Sequence, residues 1–125
     1  MKKRIISATE VPASGPYSAA VEAHDLIFIS GQLPVDPATG EIISDVKLAT
    51  RQILNNIKLL LKKTDLDLSH VIKTTVFLKN IKDFPLVDDV YADFFPTDPP
   101  ARSTVEVSVL PRGAPVEIEA IAARE

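Results

Sequence analysis

The sequence predicts an α+β domain, with two amphipathic helices set among short alternating strands. Val46, Ala49, Ile53, Leu54, Ile57, Leu60 and Leu61 recur at helical spacing and form one apolar stripe. Val105, Val107 and Val109, and again Val116, Ile118 and Ala120, alternate with polar neighbours at the period of half-buried strands. The 125 residues contain no repeat, low-complexity segment or linker, which makes the chain (residues 1–125) a single domain with a modest core.

Taken in order, Arg4 to Ser7 is a short first strand, followed by a polar, proline-interrupted loop to Ser14. Gly15-Pro16-Tyr17 sets a turn ahead of Ala19-Ala20-Val21, because Pro16 fixes its own backbone angle and moves Gly15 out of the helical region. Leu26 to Gly31 is a strand with apolar side chains on both faces. It ends where the missing side chain of Gly31 lets a ligand or another backbone approach. Asp36-Pro37-Ala38-Thr39-Gly40 is a surface turn.

Asp45 is the expected N-cap of the first helix, Val46 to Lys63, with Arg51, Asn55, Lys58 and Lys62 facing water. Val71 to Lys79 is the next strand, with Ile72, Val76 and Leu78 on one face and Val71 and Phe77 on the other. The second helix spans Asp83 to Phe95, with Pro85 in its first turn. Its apolar side is Phe84, Val87, Val90, Tyr91, Phe94 and Phe95, and Pro96 to Pro100 stop it.

The last two strands, from Ala101 and from Val116, flank the turn-rich segment Leu110 to Pro115 and read as an antiparallel hairpin. In that hairpin Glu117 faces about Ser108 and Glu119 about Glu106. Arg102 and Glu117 are then roughly six residues apart, about 20 Å at ~3.3 Å per residue. One chain cannot bring both to one small ligand, whereas neighbouring subunits can. Two helices cover only one face of a sheet of about five or six strands, yet strands 26–31 and 71–79 are apolar on both faces. A second copy of the chain is the expected cover.

Pro100-Ala101-Arg102-Ser103 with Val105-Glu106-Val107, and the tail Val116 to Ala122, resemble the RidA (YjgF-type) reactive-intermediate deaminase family. Gly15-Pro16-Tyr17-Ser18, Phe28 to Pro34 and Lys73 to Leu78 match it in the same order, so the resemblance covers nearly the whole chain. It implies a chorismate-mutase-like mixed sheet with two helices on one face, assembled as a homotrimer with sites between subunits. It also implies cofactor-free hydrolysis of 2-imino acids and 2-aminoacrylate-type enamines to 2-oxo acids and ammonia. By the same resemblance, Arg102 binds the substrate carboxylate and Glu117 positions the attacking water, while Tyr17, Ser30 and the Gly31 backbone shape the cleft.

Three positions depart from the family pattern. Thr104 stands where many members carry cysteine, so the site needs a small polar group there rather than a thiol. Asp88 replaces a frequent asparagine, and its charge bears on how anionic substrates bind. Asp65 replaces a glycine after the first helix, a matter of stability rather than chemistry.

Composition excludes several classes. The net charge of −3 argues against a general nucleic-acid binder, and the Met1-Lys2-Lys3-Arg4 start is expected to be a solvated terminus. With no cysteine there is no disulfide, thiolate nucleophile or thiolate metal site. No apolar run approaches the ~20 residues of a membrane span, and no signal-peptide core is present, so a cytoplasmic protein is expected. His24 and His70 lack ligand spacing, and no phosphate loop or metal cluster occurs, so no cofactor is implied. Two other activities compete with imine hydrolysis. One is single-stranded RNA cleavage with translation inhibition, and the other is carboxylate-ligand binding without catalysis.

Overall fold

A computed structural model describes residues 2–125; Met1 lies outside them, and Lys2 to Arg4 are exposed as expected of a solvated start. Six strands, β1 (Arg4–Ile6), β2 (Ala20–Ala23), β3 (Leu26–Gln32), β4 (Val71–Leu78), β5 (Ala101–Glu106) and β6 (Val116–Ala123), form one sheet in the order β1-β2-β3-β6-β4-β5. Only the β4–β5 pair is parallel. Since β6 is antiparallel to both β3 and β4, those two strands run the same way with β6 inserted between them. Helix α1 (Val46–Lys62) connects β3 to β4, and α2 (Phe84–Phe94) connects β4 to β5. Both helices pack together on one face of the sheet, as the sequence predicts.

Helix α1 begins where expected. The Asp45 carboxylate accepts a hydrogen bond from the Leu48 N–H at 2.9 Å. Ala49, Ile53, Leu54, Ile57, Leu60 and Leu61 are fully buried. Each such Leu or Ile contributes about 1.5–3 kcal/mol, which makes this stripe the largest single block of the core. It packs against the helix-facing side chains Ile27, Ile29, Val76, Leu78, Val116, Ile118, Ala120 and Ala122, with Val87, Val90 and Tyr91 of α2 completing the layer. Phe84, counted on the apolar side of α2 from its spacing, is exposed. After α1, Asp65 takes the left-handed conformation at φ 61°, where the family pattern has glycine.

The expected hairpin does not form. β6 pairs with β3 and β4, whereas β5 pairs with β4 at the sheet edge. Residues 107–115 carry the chain across the end of β4, held by Val107 N–H to Leu78 C=O and Lys79 N–H to Pro115 C=O. The reason is burial. β6 has one fully apolar face, which earns a central position flanked on both edges, whereas β5 has mostly exposed side chains and suits an edge. Glu117 therefore faces Phe77, not Ser108, and Glu119 faces Thr75, not Glu106. A second correction falls in β4. A bulge between Val71 and Lys73 buries Val71 and exposes Ile72, reversing their expected faces.

The face away from the helices carries a ladder of apolar side chains running Ile5, Val21, Phe28 and Ile121 across four adjacent strands. Ile5 and Phe28 are about half exposed in the single chain. No helix among the described residues is long and apolar enough to cross a membrane.

Candidate active site

The predicted site residues fall into two groups. Arg102 lies on β5 beside Thr74 of β4, and its side chain emerges on the helix side. There the guanidinium stacks 4.8 Å from the centre of the Tyr91 ring. Tyr91 is in turn fixed by a buried 2.8 Å hydrogen bond between its hydroxyl and that of Thr74. Arg102 Nη1 also lies 2.7 Å from Oδ1 of Asp88, one turn before Tyr91 on α2. The two form an ion pair in which Oδ1 is buried while the Asp88 side chain as a whole stays 42% exposed. Thr104 follows two positions along β5 on the same side. Asp88, Tyr91, Phe95, Pro100 and Arg102 line a hollow of about 360 Å³.

Glu117 leaves β6 on the opposite face, as the alternation predicts. It sits over Gly31, where β3 bulges between Ile29 and Gln32. A Cβ at Gly31 would come within 2.8 Å of Glu117 Cδ, so a side chain there would push this carboxylate out of its present place. Burial pushes the Glu117 carboxyl above its ordinary value, and the like charge of Glu119 adds to that shift. Ser30 precedes the bulge; its hydroxyl donates to Ser18 C=O at 2.7 Å and its N–H to Ala19 C=O. This ties the strand end to the Tyr17 turn.

Tyr17 is half exposed, with its hydroxyl 3.2 Å from Ser14 Oγ. Tyr17 and Gly31 border a second hollow of about 360 Å³, whose walls include Gln32 and Asn56 but not Glu117. Arg112 lines it too, with a guanidinium already donating to Gly40 C=O at 2.7 Å.

Arg102 and Glu117 are thus kept apart by the sheet itself. Their partners on β4 are Thr74 and Phe77, and the two side chains project from opposite faces. Sequence reasoning also keeps them apart, but through an incorrect hairpin that spaces them roughly six residues along the strands, where their partners on β4 are three residues apart and the faces do the separating. It misses the contacts of Tyr91, read only as part of the apolar side of α2, and of Thr74, to which it assigns no part in the site. The paired hydroxyls become visible only once β4 and α2 are stacked. Among the described residues, no group of three or more His, Asp or Glu side chains converges as metal ligands. His24 occupies the β2–β3 turn, and His70 caps the short turn before β4 with Asp67.

The family model described as Endoribonuclease L-PSP matches residues 7–124. The chain belongs to this family, the YjgF/RidA family. A RutC family protein of Pyrococcus horikoshii is 48% identical over 100% of both chains. The 2-iminobutanoate/2-iminopropanoate deaminase of Capra hircus is 47% identical over 96% of this chain and 89% of its own length. The crystal structure of E. coli TdcF with bound serine superposes with a TM-score of 0.92 at 40% identity, covering 98% of this chain and 99% of that one. The expected family membership and the mixed sheet with two helices on one face are therefore correct.

Proposed function

We propose that this RidA-family chain is a cofactor-free deaminase that hydrolyses 2-imino acids and 2-aminoacrylate-type enamines, and that it works as a homotrimer with clefts between subunits. The observation that carries the reading is the division of the site. A guanidinium poised for a carboxylate and a carboxyl group of raised proton affinity lie on opposite faces of one sheet. A neighbouring copy that covers the apolar ladder of Ile5, Val21, Phe28 and Ile121 brings the Glu117 face of one subunit to the Arg102 edge of the next.

In that cleft Arg102 binds the substrate carboxylate, backed by the Tyr91 ring, and fixes the imine carbon in place. Glu117 accepts a proton from water as its oxygen attacks that carbon. It returns that proton to nitrogen to give a carbinolamine, then takes the hydroxyl proton and passes it to the same nitrogen, so that the C=O bond forms as the carbon–nitrogen bond breaks and ammonia leaves behind a 2-oxo acid. Tyr17, Ser30, the Gly31 backbone and Thr104 shape the pocket. Free imines hydrolyse unaided, so the barrier asked of the protein is modest and a sparse site suffices. The relative from Capra hircus carries the name of this activity, and the E. coli relative holds a small 2-amino acid.

The test is to generate 2-iminobutanoate in situ with an amino-acid dehydratase and follow its decay. Wild-type protein accelerates the decay and Arg102→Ala does not. No acceleration, or full activity in Arg102→Ala, refutes the assignment. The endoribonuclease description of the family model raises RNA cleavage as a second reading. Cleavage that survives repeated purification and disappears in Glu117→Ala would favour it, against the net charge of −3.

A further inference from the structure

Asp88 is the charged residue nearest the carboxylate anchor, paired through Oδ1 with Arg102 Nη1 at 2.7 Å. Its side chain is still 42% exposed and lines the hollow beside Arg102, so the carboxylate can also accept a donor from a ligand there. The guanidinium is compromised in a complementary way. One face is stacked on Tyr91 and one amino group is beside Asp88, so its positive charge is already half answered. A ligand offering only a carboxylate meets a neutralised pair and adds a second negative charge next to Asp88. A ligand with a cationic nitrogen beside its carboxylate answers both partners, the carboxylate on the free N–H edge of Arg102 and the nitrogen on the exposed side of the Asp88 carboxylate.

We infer that Asp88 is a specificity-determining residue that tunes the Arg102 site to 2-iminium and 2-ammonium carboxylates, and against 2-oxo acids and dicarboxylates. This rests on the deaminase reading and sharpens it. Substrate presents N–H donors to Asp88, whereas the product presents a carbonyl oxygen at the same place. The site therefore rejects its product by pairing acceptor against acceptor.

The test is equilibrium binding by calorimetry with L-serine, 2-oxobutanoate and succinate as probes, on wild type, Asp88→Asn and Arg102→Ala. Wild type is expected to bind L-serine at least about tenfold tighter than 2-oxobutanoate. Asp88→Asn is expected to shrink that ratio to within about threefold, chiefly by tightening 2-oxobutanoate and succinate. Arg102→Ala loses all three. An unchanged ratio in Asp88→Asn overturns the inference, as does wild-type protein that binds serine and 2-oxobutanoate equally or binds neither. Should Asp88→Asn fail to fold, Asp88→Ser takes its place and is compared with wild type on 2-aminobutanoate against 2-hydroxybutanoate, which share a skeleton and differ in the ammonium group. A preference for the amino acid that falls in the variant supports the inference, and a preference that the variant keeps, or parity in wild type, sinks it. Binding selectivity without imine hydrolysis would overturn the deaminase reading alone, and hydrolysis without selectivity would overturn only the role of Asp88.

Discussion

The carboxylate of Glu117 occupies the space that a side chain on Gly31 would need. One residue on β6 and one at the bulge of β3 thereby share a space, and a substitution at the glycine acts on the carboxylate. Gly31→Ala is predicted to displace Glu117 and lower kcat/KM for imine hydrolysis by about 100-fold, as misplacement of a reacting group by about 1 Å does. The fold should survive, because φ at Gly31 is not in the left-handed region. Steady-state kinetics alongside a thermal melt separates the two effects.

Glu117 also sets a pH dependence. Its carboxyl is raised by burial first and by Glu119 second, and hydrolysis needs it ionised to receive a proton. Activity is therefore predicted to rise with pH through an inflection above the ordinary carboxylate range. Glu119→Gln removes the like charge and should move that inflection to lower pH. The stability sign is opposite. A carboxyl with folded pKa above its unfolded value stabilises the fold at low pH, and that contribution is lost as pH rises through the folded pKa. Glu117→Gln is thus expected to melt higher than wild type at neutral pH while losing hydrolysis.

Tyr91 connects the core to the anchor. Tyr91→Phe leaves the Thr74 hydroxyl buried without its partner and is predicted to cost about 1–3 kcal/mol in urea unfolding. The phenyl ring still underlies Arg102, so KM should change far less than in Tyr91→Ala, where the guanidinium loses its platform.

The α1 stripe gives a check of the fold independent of chemistry. Leu54 is fully buried in the core cluster, and Leu54→Ala is predicted to cost about 2–5 kcal/mol in denaturant unfolding.

Helix α1 was legible to within a residue because its cap and its stripe are local signals: Asp45, then Ile53, Leu54 and Ile57 at the right spacing. The faces of β6 were legible for the same reason, since alternation assigns Glu117 and Ile118 to opposite sides whatever lies next to the strand. Strand pairing was not legible. Leu110 to Pro115 does form a turn, but residues 107–115 use it to step over β4 rather than to fold β5 onto β6. Nothing local distinguishes those outcomes. The bulge at Val71 to Lys73 likewise leaves no trace in the alternation it interrupts. Within the site, residue types pointed to Arg102 and Glu117 only through the surrounding motifs. The pairing of Arg102 with Asp88 and Tyr91 depends on α2 lying over the β5 edge.

The division of the site between subunits is tested most directly by mixing two inactive variants. Arg102→Ala and Glu117→Ala proteins are denatured together, refolded in equal amounts and assayed for 2-iminobutanoate hydrolysis. In a cyclic trimer with one arginine and one glutamate from different chains in each cleft, random assembly restores about a quarter of wild-type activity, because each mixed trimer regains one intact cleft of its three. Activity that stays at the level of the separate variants, in a mixture shown to contain mixed trimers, would contradict the shared cleft.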